Sequence, residues 1–143
     1  IAMVLALSKQ IVQTNHAMAL HYGGKPDAAE PLLRIALAHL RAFANDDLPQ
    51  AQHVRYALAD CLLDLKRIAD VPELLTGLNA RALNEAQQEP DWDARLQFQR
   101  ARLAIAQGDT PAAKDLLRLA ADGLSVQGRL DRKTAVALLE SLR

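Results

Sequence analysis

The stretch from Ala101 to Ala120, ARLAIAQGDTPAAKDLLRLA, decides the fold of this chain. Two runs rich in Ala and Leu flank the turn sequence Gln107-Gly108-Asp109-Thr110-Pro111. Glycine ends a helix by adopting a left-handed conformation, and proline opens the next helix because its fixed φ suits the first turn. Thr110 is the expected N-cap of the second run, and Pro111 its first helical residue. The stretch therefore predicts two helices joined by a tight turn.

The same pattern recurs along the chain at a fixed interval. Ala17, Ala59 and Ala101 stand at equal spacings, with a period of about 42 residues. Three further columns of small or apolar residues keep this period: Ala29, Val71 and Ala113; Leu33, Leu75 and Leu117; Ala36, Leu78 and Ala120. The first copy also has a glycine-rich turn before Pro26, whereas the middle copy has no glycine at that phase. Repetition at a fixed period indicates stacked helical repeats, which bury their apolar faces against one another.

The spacing of apolar residues and turn residues gives the helix boundaries. We predict helices over about 2–22, 27–44, 49–65, 70–87, 91–107 and 111–125, and no strands, because no stretch alternates between apolar and polar residues. A last helix over about 131–142, opened by Asp131 as its cap, is expected to cover the apolar face of the final repeat. The predicted fold class is an all-α solenoid of three hairpins, over about 2–44, 49–87 and 91–125, with a C-terminal capping helix in a single domain over 1–143.

These repeats resemble the tetratricopeptide repeat (TPR). The third copy carries the resemblance best, through Ala101, Gly108-Asp109, Ala113, Leu117 and Ala120. The usual TPR has a period of about 34 residues. The longer period found here resembles the repeats of kinesin light chains and of bacterial signalling and regulatory proteins. The resemblance implies a right-handed α-solenoid whose first helices line a concave groove. It also implies a docking or sensor part of a larger bacterial regulatory protein.

The resemblance assigns specific residues to that groove. The candidate partner-binding residues are Asn15, Met18, His21, Tyr22, His53, Tyr56, Asp60, Arg95, Phe98 and Arg102. Aromatic residues and arginine are enriched at binding hot spots, which favours Tyr56 and Phe98 as partner contacts. The alternative is that these aromatic side chains pack between helices and only shape the groove. Trp92, near the start of a predicted helix, is expected to be a packing anchor.

Two arginines have two possible roles. Arg95 and Arg102 are two helical turns apart and share a helix face, where they could hold an acidic partner segment. Asp91 and other nearby acidic residues could equally neutralise them in ordinary surface pairs.

Cys61, the one cysteine, has no partner for an internal disulfide and lies on the apolar side of its helix. We expect it to be a buried and inert thiol.

The composition excludes several classes of protein. The chain has 17 basic and 17 acidic residues, so it lacks the positive charge of a general nucleic-acid binder. No apolar run approaches the roughly 18 residues that a membrane span needs. The chain begins at Ile1 instead of Met, and no signal-peptide pattern follows, so we expect a fragment of a longer protein. Its expected location is the cytoplasm, or the periplasm if the parent protein is membrane-anchored.

The polar residues give little support for catalysis or metal binding. Asp60 and Asp64 are one helical turn apart, as in a carboxylate pair, but the chain offers no nucleophile, phosphate loop or oxyanion donor. His53 could converge with these two carboxylates, although solvated polar groups are the expected outcome. His16 and His21 are spaced so that they face different directions on their helix. We therefore expect no catalytic residue, no metal and no cofactor.

The expected function is that of a non-catalytic interaction module that binds a peptide or a partner domain in its concave groove. One alternative is a receptor for a small ligand, in which His21, His53, Asp60 and Arg102 converge on a polar pocket. A second is self-association into a homo-oligomer through the exposed N-terminal end of the array. A third, less favoured alternative is an all-α enzyme that depends on Asp60.

Overall fold

The computed structural model describes residues 1–43, 48–125 and 132–143. In those ranges the secondary structure is helical, without strands, which confirms the all-α class for the described part of the chain. The helices are α1 (Ala2–Tyr22), α2 (Pro26–Phe43), α3 (Pro49–Asp64), α4 (Val71–Leu75), α5 (Ala80–Gln87), α6 (Trp92–Ala106), α7 (Thr110–Gly123) and α8 (Arg132–Ser141). The expected cap of the last helix, Asp131, lies outside the described residues.

The helices α1, α3 and α6, which open the three repeats, end in the same turn. Each is followed by a left-handed residue, and these residues are Gly24 (φ 88°), Lys66 (φ 60°) and Gly108 (φ 80°). In each turn the next residue donates a backbone hydrogen bond to a carbonyl in the last turn of the helix: Lys25 to Leu20 (2.9 Å), Arg67 to Leu62 (2.9 Å) and Asp109 to Ala104 (2.8 Å). This bond is typical of the Schellman motif. The predicted turns are confirmed, and the middle copy makes its turn without glycine.

The columns of small and apolar residues also have a common environment. All of them are buried, and none is more than 8% exposed. The members are Ala17, Ala59 and Ala101; Ala29, Val71 and Ala113; Leu33, Leu75 and Leu117; Ala36, Leu78 and Ala120. The repeat read from the sequence therefore corresponds to equivalent core positions in the three copies.

Two local predictions are wrong. The single helix expected over about 70–87 is divided into α4 and α5, because Gly77 has a φ of 74° and the Asn79 side chain accepts a hydrogen bond from the Ala82 N–H (3.1 Å). A left-handed glycine followed by a capping side chain ends one helix and begins another. The N-cap of α7 is Asp109, whose Oδ1 accepts from the Ala112 N–H at 3.2 Å, and not Thr110.

The chain divides into two compact units, residues 1–78 and 79–143. In the first unit α1 packs against α2 and α3, and α3 also packs against α2 and α4. In the second unit α6 packs against α5 and α7, and α7 against α8. The core cluster of this second unit includes Phe98 from α6, Leu117 from α7 and Ala135 from α8. The expected single domain over 1–143 stays a prediction.

Candidate functional site

The first helix exposes an apolar face to solvent. Its large exposed hydrophobic residues, together with its N-cap, are Ile1 (98% exposed), Val4 (64%), Leu5 (65%), Ile11 (45%), Val12 (67%) and Tyr22 (44%). Neighbouring members of this set are separated by spacings, such as four and seven positions, that bring side chains to one side of a helix. We call this set the α1 apolar face.

The opposite side of α1 is buried although it is largely polar. Gln10, Thr14 and His21 are 6%, 3% and 4% exposed. The Gln10 Nε2 atom lies 3.0 Å from His39 Nδ1 on α2, and the Thr14 hydroxyl donates to the Gln10 carbonyl at 2.7 Å. Such hydrogen bonds offset the cost of removing polar groups from water. The helix therefore buries three polar side chains beside Ala17, while much of its apolar surface faces solvent.

His21 also belongs to a cluster with two carboxylates of α3. Its Nε2 atom makes a hydrogen bond with Asp64 Oδ2, and its Nδ1 atom lies 4.0 Å from Asp60 Oδ2. The side chains of His21 and Asp60 are each 2% exposed, whereas that of Asp64 is 34% exposed. One possible ligand atom from each residue lies within 4.8 Å of the others. We call these three residues the His21 cluster.

This cluster corrects one expectation from the sequence. Asp60 is 1% exposed, so the prediction that it is a solvated polar group is wrong. The residue that joins Asp60 and Asp64 in the cluster is His21 from α1, which the small-ligand alternative groups with Asp60. His53, the histidine considered for convergence with both carboxylates, is half-buried elsewhere on α3. Burial follows from the packing of α1 against α3, a contact that the periodicity of each helix alone does not specify.

Cys61 lies between these carboxylates on α3, with its side chain turned to a different partner. It is buried, and its Sγ donates to the carbonyl oxygen of Pro26 at 3.0 Å. Burial raises the pKa of the Cys61 thiol to about 11, and the negative charges of Glu30, Asp60 and Asp64 contribute to the same rise. The prediction of a buried thiol is confirmed, and the raised pKa opposes formation of the reactive thiolate.

The predicted groove residues differ in accessibility. Asn15 and Tyr22 are exposed, while four others are half-buried and four are buried. The half-buried residues are Met18, His53, Arg95 and Arg102, and the buried ones are His21, Tyr56, Asp60 and Phe98. Tyr56 is 5% exposed and Phe98 is 4% exposed, which favours the alternative that these rings pack inside the protein.

Most residues of the α1 apolar face were not predicted from the sequence. Val4, Leu5 and Val12 have no place in the predicted groove, although Tyr22 does. A signal for them exists in the sequence, because the apolar residues of α1 occupy more of its circumference than one buried stripe requires.

In the second unit, Arg95 is held by its own neighbours. Its Nε lies 2.9 Å from Asp91 Oδ1, and a second ion pair joins it to Glu89. The guanidinium carbon lies 5.0 Å from the centre of the Trp92 ring, within the range of a cation–π contact. Trp92 is 2% exposed, which confirms its predicted role as a packing anchor. Local acidic residues therefore neutralise Arg95, as one of the two alternatives proposed.

Arg102, the other arginine of that pair, donates to Gln99 Oε1 at 2.9 Å.

An open cavity of about 300 Å³ lies in the first unit and is lined by residues of α2, α3 and α4 together with Asp70. Its Arg34 side chain is 3.1 Å from Glu30 and 3.2 Å from Asp70. None of the four residues expected to converge on a ligand pocket lines this cavity.

Comparison with known proteins adds no assignment: no protein-family model matches the chain, and no solved structure matches it. Across the described residues, every helix is too short or too polar to cross a lipid bilayer.

Proposed function

We propose that this chain is a non-catalytic protein-interaction domain that binds an apolar protein segment through the α1 apolar face. In this proposal the three TPR-like hairpins form a right-handed α-solenoid, and the domain serves as the docking part of a larger regulatory protein. Tyr22 belongs both to the α1 apolar face and to the predicted groove, and Asn15, also predicted for the groove, is exposed on the same helix. Partner binding would therefore extend from the groove along α1.

The exposed apolar residues of α1 carry the proposal. Exposed apolar surface costs about 25 cal/mol per Å² relative to burial, and a helix of a monomeric protein usually turns its apolar face inward. Here Val4, Leu5 and Val12 are 64%, 65% and 67% exposed, while the polar Gln10 and Thr14 are buried. Contiguous exposed apolar patches mark interaction surfaces.

The chemistry of the face indicates what binds it. The residues that fill the gaps between its apolar members, Ser8 and Asn15, are uncharged. A helix of 21 residues is about 30 Å long, which is enough to contact several turns of a second helix. The partner we propose is accordingly an amphipathic helix that presents apolar residues at spacings of three, four and seven, so that its apolar face packs along α1.

A peptide library tests this proposal with a matched pair of variants. Ile11 on the α1 apolar face and Ile35 on α2 are 45% and 49% exposed. Substitution to aspartate therefore introduces the same charge at two sites of similar exposure. Peptides from a displayed library, each long enough for four helical turns, are selected for binding to the full wild-type chain. Each selected peptide is then tested for binding to the two variants. We expect the selected peptides to have apolar residues at helical spacing and to bind Ile35→Asp but not Ile11→Asp. Selected peptides that bind both variants equally contradict the proposal.

Self-association would use the same surface and is distinguished by light scattering over a concentration series. We expect the mass of a monomer, 15.6 kDa, throughout the series. A dimer that Ile11→Asp converts into a monomer would assign the α1 apolar face to a second copy of the chain and overturn the proposed heterologous partner.

A further inference from the structure

We propose that the His21 cluster is a binding site for a divalent transition-metal ion, ligated by His21, Asp60 and Asp64. This site is separate from the α1 apolar face, since His21 lies on the buried side of α1. The role of the ion is structural, because it joins α1 to α3.

The positions of the three ligand atoms fit a small ion. They lie within 4.8 Å of one another, so an ion at their centre is at most about 2.8 Å from each. Zn²⁺ needs about 2.0–2.2 Å to nitrogen and oxygen ligands, so Asp64, whose side chain is 34% exposed, rotates out of its hydrogen bond with His21 as the ion enters between them. His21 and Asp64 are joined by a hydrogen bond through His21 Nε2. An ion bound at that nitrogen takes the place of this hydrogen bond, and the neutral imidazole keeps its proton on Nδ1.

The helices hold the ligands in different ways. Asp60 and Asp64 are one turn apart on α3 and share one face of that helix. The side chains of His21 and Asp60 are each 2% exposed, so packing restricts their movement before any ion arrives. Asp64 is 34% exposed and opens the cluster to solvent. Ions enter on this side, and water completes the coordination there.

The ligand chemistry selects the class of metal. One imidazole nitrogen and two carboxylate oxygens suit Zn²⁺, Co²⁺, Mn²⁺ and Ni²⁺, whereas Ca²⁺ and Mg²⁺ prefer shells of oxygen ligands alone. Two carboxylates carry a charge of −2, which a divalent cation neutralises beside a neutral imidazole. The nearby thiol of Cys61 is left out of the ligand set because its Sγ donates to the carbonyl oxygen of Pro26, 3.0 Å away.

Calorimetric titration of the chelator-treated full chain with Zn²⁺ tests the site. We expect one bound ion per chain, a loss of at least tenfold in affinity in Asp64→Asn and His21→Gln, and no comparable binding of Ca²⁺. His16→Gln is the matched control, because His16 is an exposed histidine on the same helix and lies outside the cluster. Co²⁺ should produce visible absorption bands in the wild type and in His16→Gln, and these bands should be lost in Asp64→Asn.

If His21→Gln does not fold, Asp64→Asn still tests the site. The Asp64 side chain is partly exposed, so its substitution is expected to leave the fold intact. Zn²⁺ should raise the melting temperature of the wild type and of His16→Gln and leave that of Asp64→Asn unchanged. Absence of Zn²⁺ binding by the wild type, or a loss of less than tenfold in Zn²⁺ affinity in Asp64→Asn, overturns the proposal. Ile11→Asp should retain Zn²⁺ affinity, which separates a failure of this site from a failure of the α1 apolar face.

Discussion

Arg55, in the middle of α3, donates a hydrogen bond from its guanidinium to the backbone carbonyl of Glu73 in α4, 3.2 Å away. The same guanidinium nitrogen donates to the carbonyl of Thr76, the C-cap of α4. The last carbonyls of a helix have no partner within that helix, and Arg55 is 7% exposed, so these bonds form away from bulk water. A buried arginine of one helix thus donates hydrogen bonds to carbonyl groups at the end of the next helix.

Loss of this arginine should destabilise the first unit. Arg55→Ala leaves two carbonyls at the end of α4 without this donor, and we expect the free energy of unfolding to fall by about 2–3 kcal/mol. Urea denaturation followed by circular dichroism measures the change. The control is Arg81→Ala, because Arg81 is 89% exposed and its ion pair with Glu85 is a surface one. Equal stability of the two variants would show that the bonds to α4 contribute nothing.

The left-handed turn after α3 offers a substitution that should stabilise the protein. Lys66 has a φ of 60°, a conformation that costs a residue with a Cβ roughly 1 kcal/mol and glycine much less. Lys66→Gly is therefore expected to raise the free energy of unfolding by about 0.5–1 kcal/mol. Gly108→Lys, at the equivalent position of the third copy, should lower it by a similar amount. Denaturant midpoints that move in the same direction for both variants contradict the equivalence of these turns.

A close approach between α6 and α7 can be tested with a double-mutant cycle. A Cβ added at Gly123 would lie 2.8 Å from the Cβ of Ala94, inside the normal contact distance. We expect Gly123→Ala to cost about 1–3 kcal/mol through overpacking. Ala94→Gly removes the clashing atom, so the double variant should be more stable than the sum of the single changes predicts, by at least about 1 kcal/mol. Additive effects would mean that the helices separate without strain.

The Cys61 thiol should react slowly in the folded protein. Its pKa of about 11 compares with about 8.5 for a free cysteine, so at pH 8 its thiolate fraction is lower than in the unfolded chain by a factor on the order of 100. Reaction with a disulfide reagent should accelerate about tenfold per pH unit up to about pH 11. A plateau near pH 8.5 would show an unperturbed thiol.

The same pKa difference affects stability in a definite direction. Because the folded chain holds the Cys61 proton to a higher pH than the unfolded chain, the thiol's contribution is complete below about pH 8.5. It is lost as the pH rises toward about 11. Cys61→Ala should reduce the fall in the denaturation midpoint over that interval, and an identical pH dependence in both proteins would contradict the assignment.

The sequence was sufficient to predict most of the helices and their core positions. The columns that begin at Ala17, Ala29 and Leu33 repeat at a fixed spacing and are buried in every copy. The turn after α3 was placed correctly although Lys66 stands where the other copies have glycine. These features depend on residues close together in the chain, whose effects on the local backbone are known from their chemistry.

The parts that the sequence did not predict depend on contacts between helices. Helical periodicity puts Asp60 and Asp64 on one side of α3, but it does not specify that His21 lies opposite them. Periodicity also does not predict that the Gln10 side chain of α1 is buried, because its hydrogen-bond partner is His39 on another helix. The excess of apolar residues around α1 indicates that some of them are exposed, but which of them are exposed depends on this packing.

Binding of an apolar helical segment by the α1 apolar face is tested most directly by a fluorescence-polarisation titration. A labelled peptide from the library selection is titrated with wild type, Ile11→Asp and Ile35→Asp. We expect Ile11→Asp to weaken binding at least tenfold, while Ile35→Asp stays within twofold of the wild type. Equal affinity of all three proteins for the peptide would contradict the proposed role of this face.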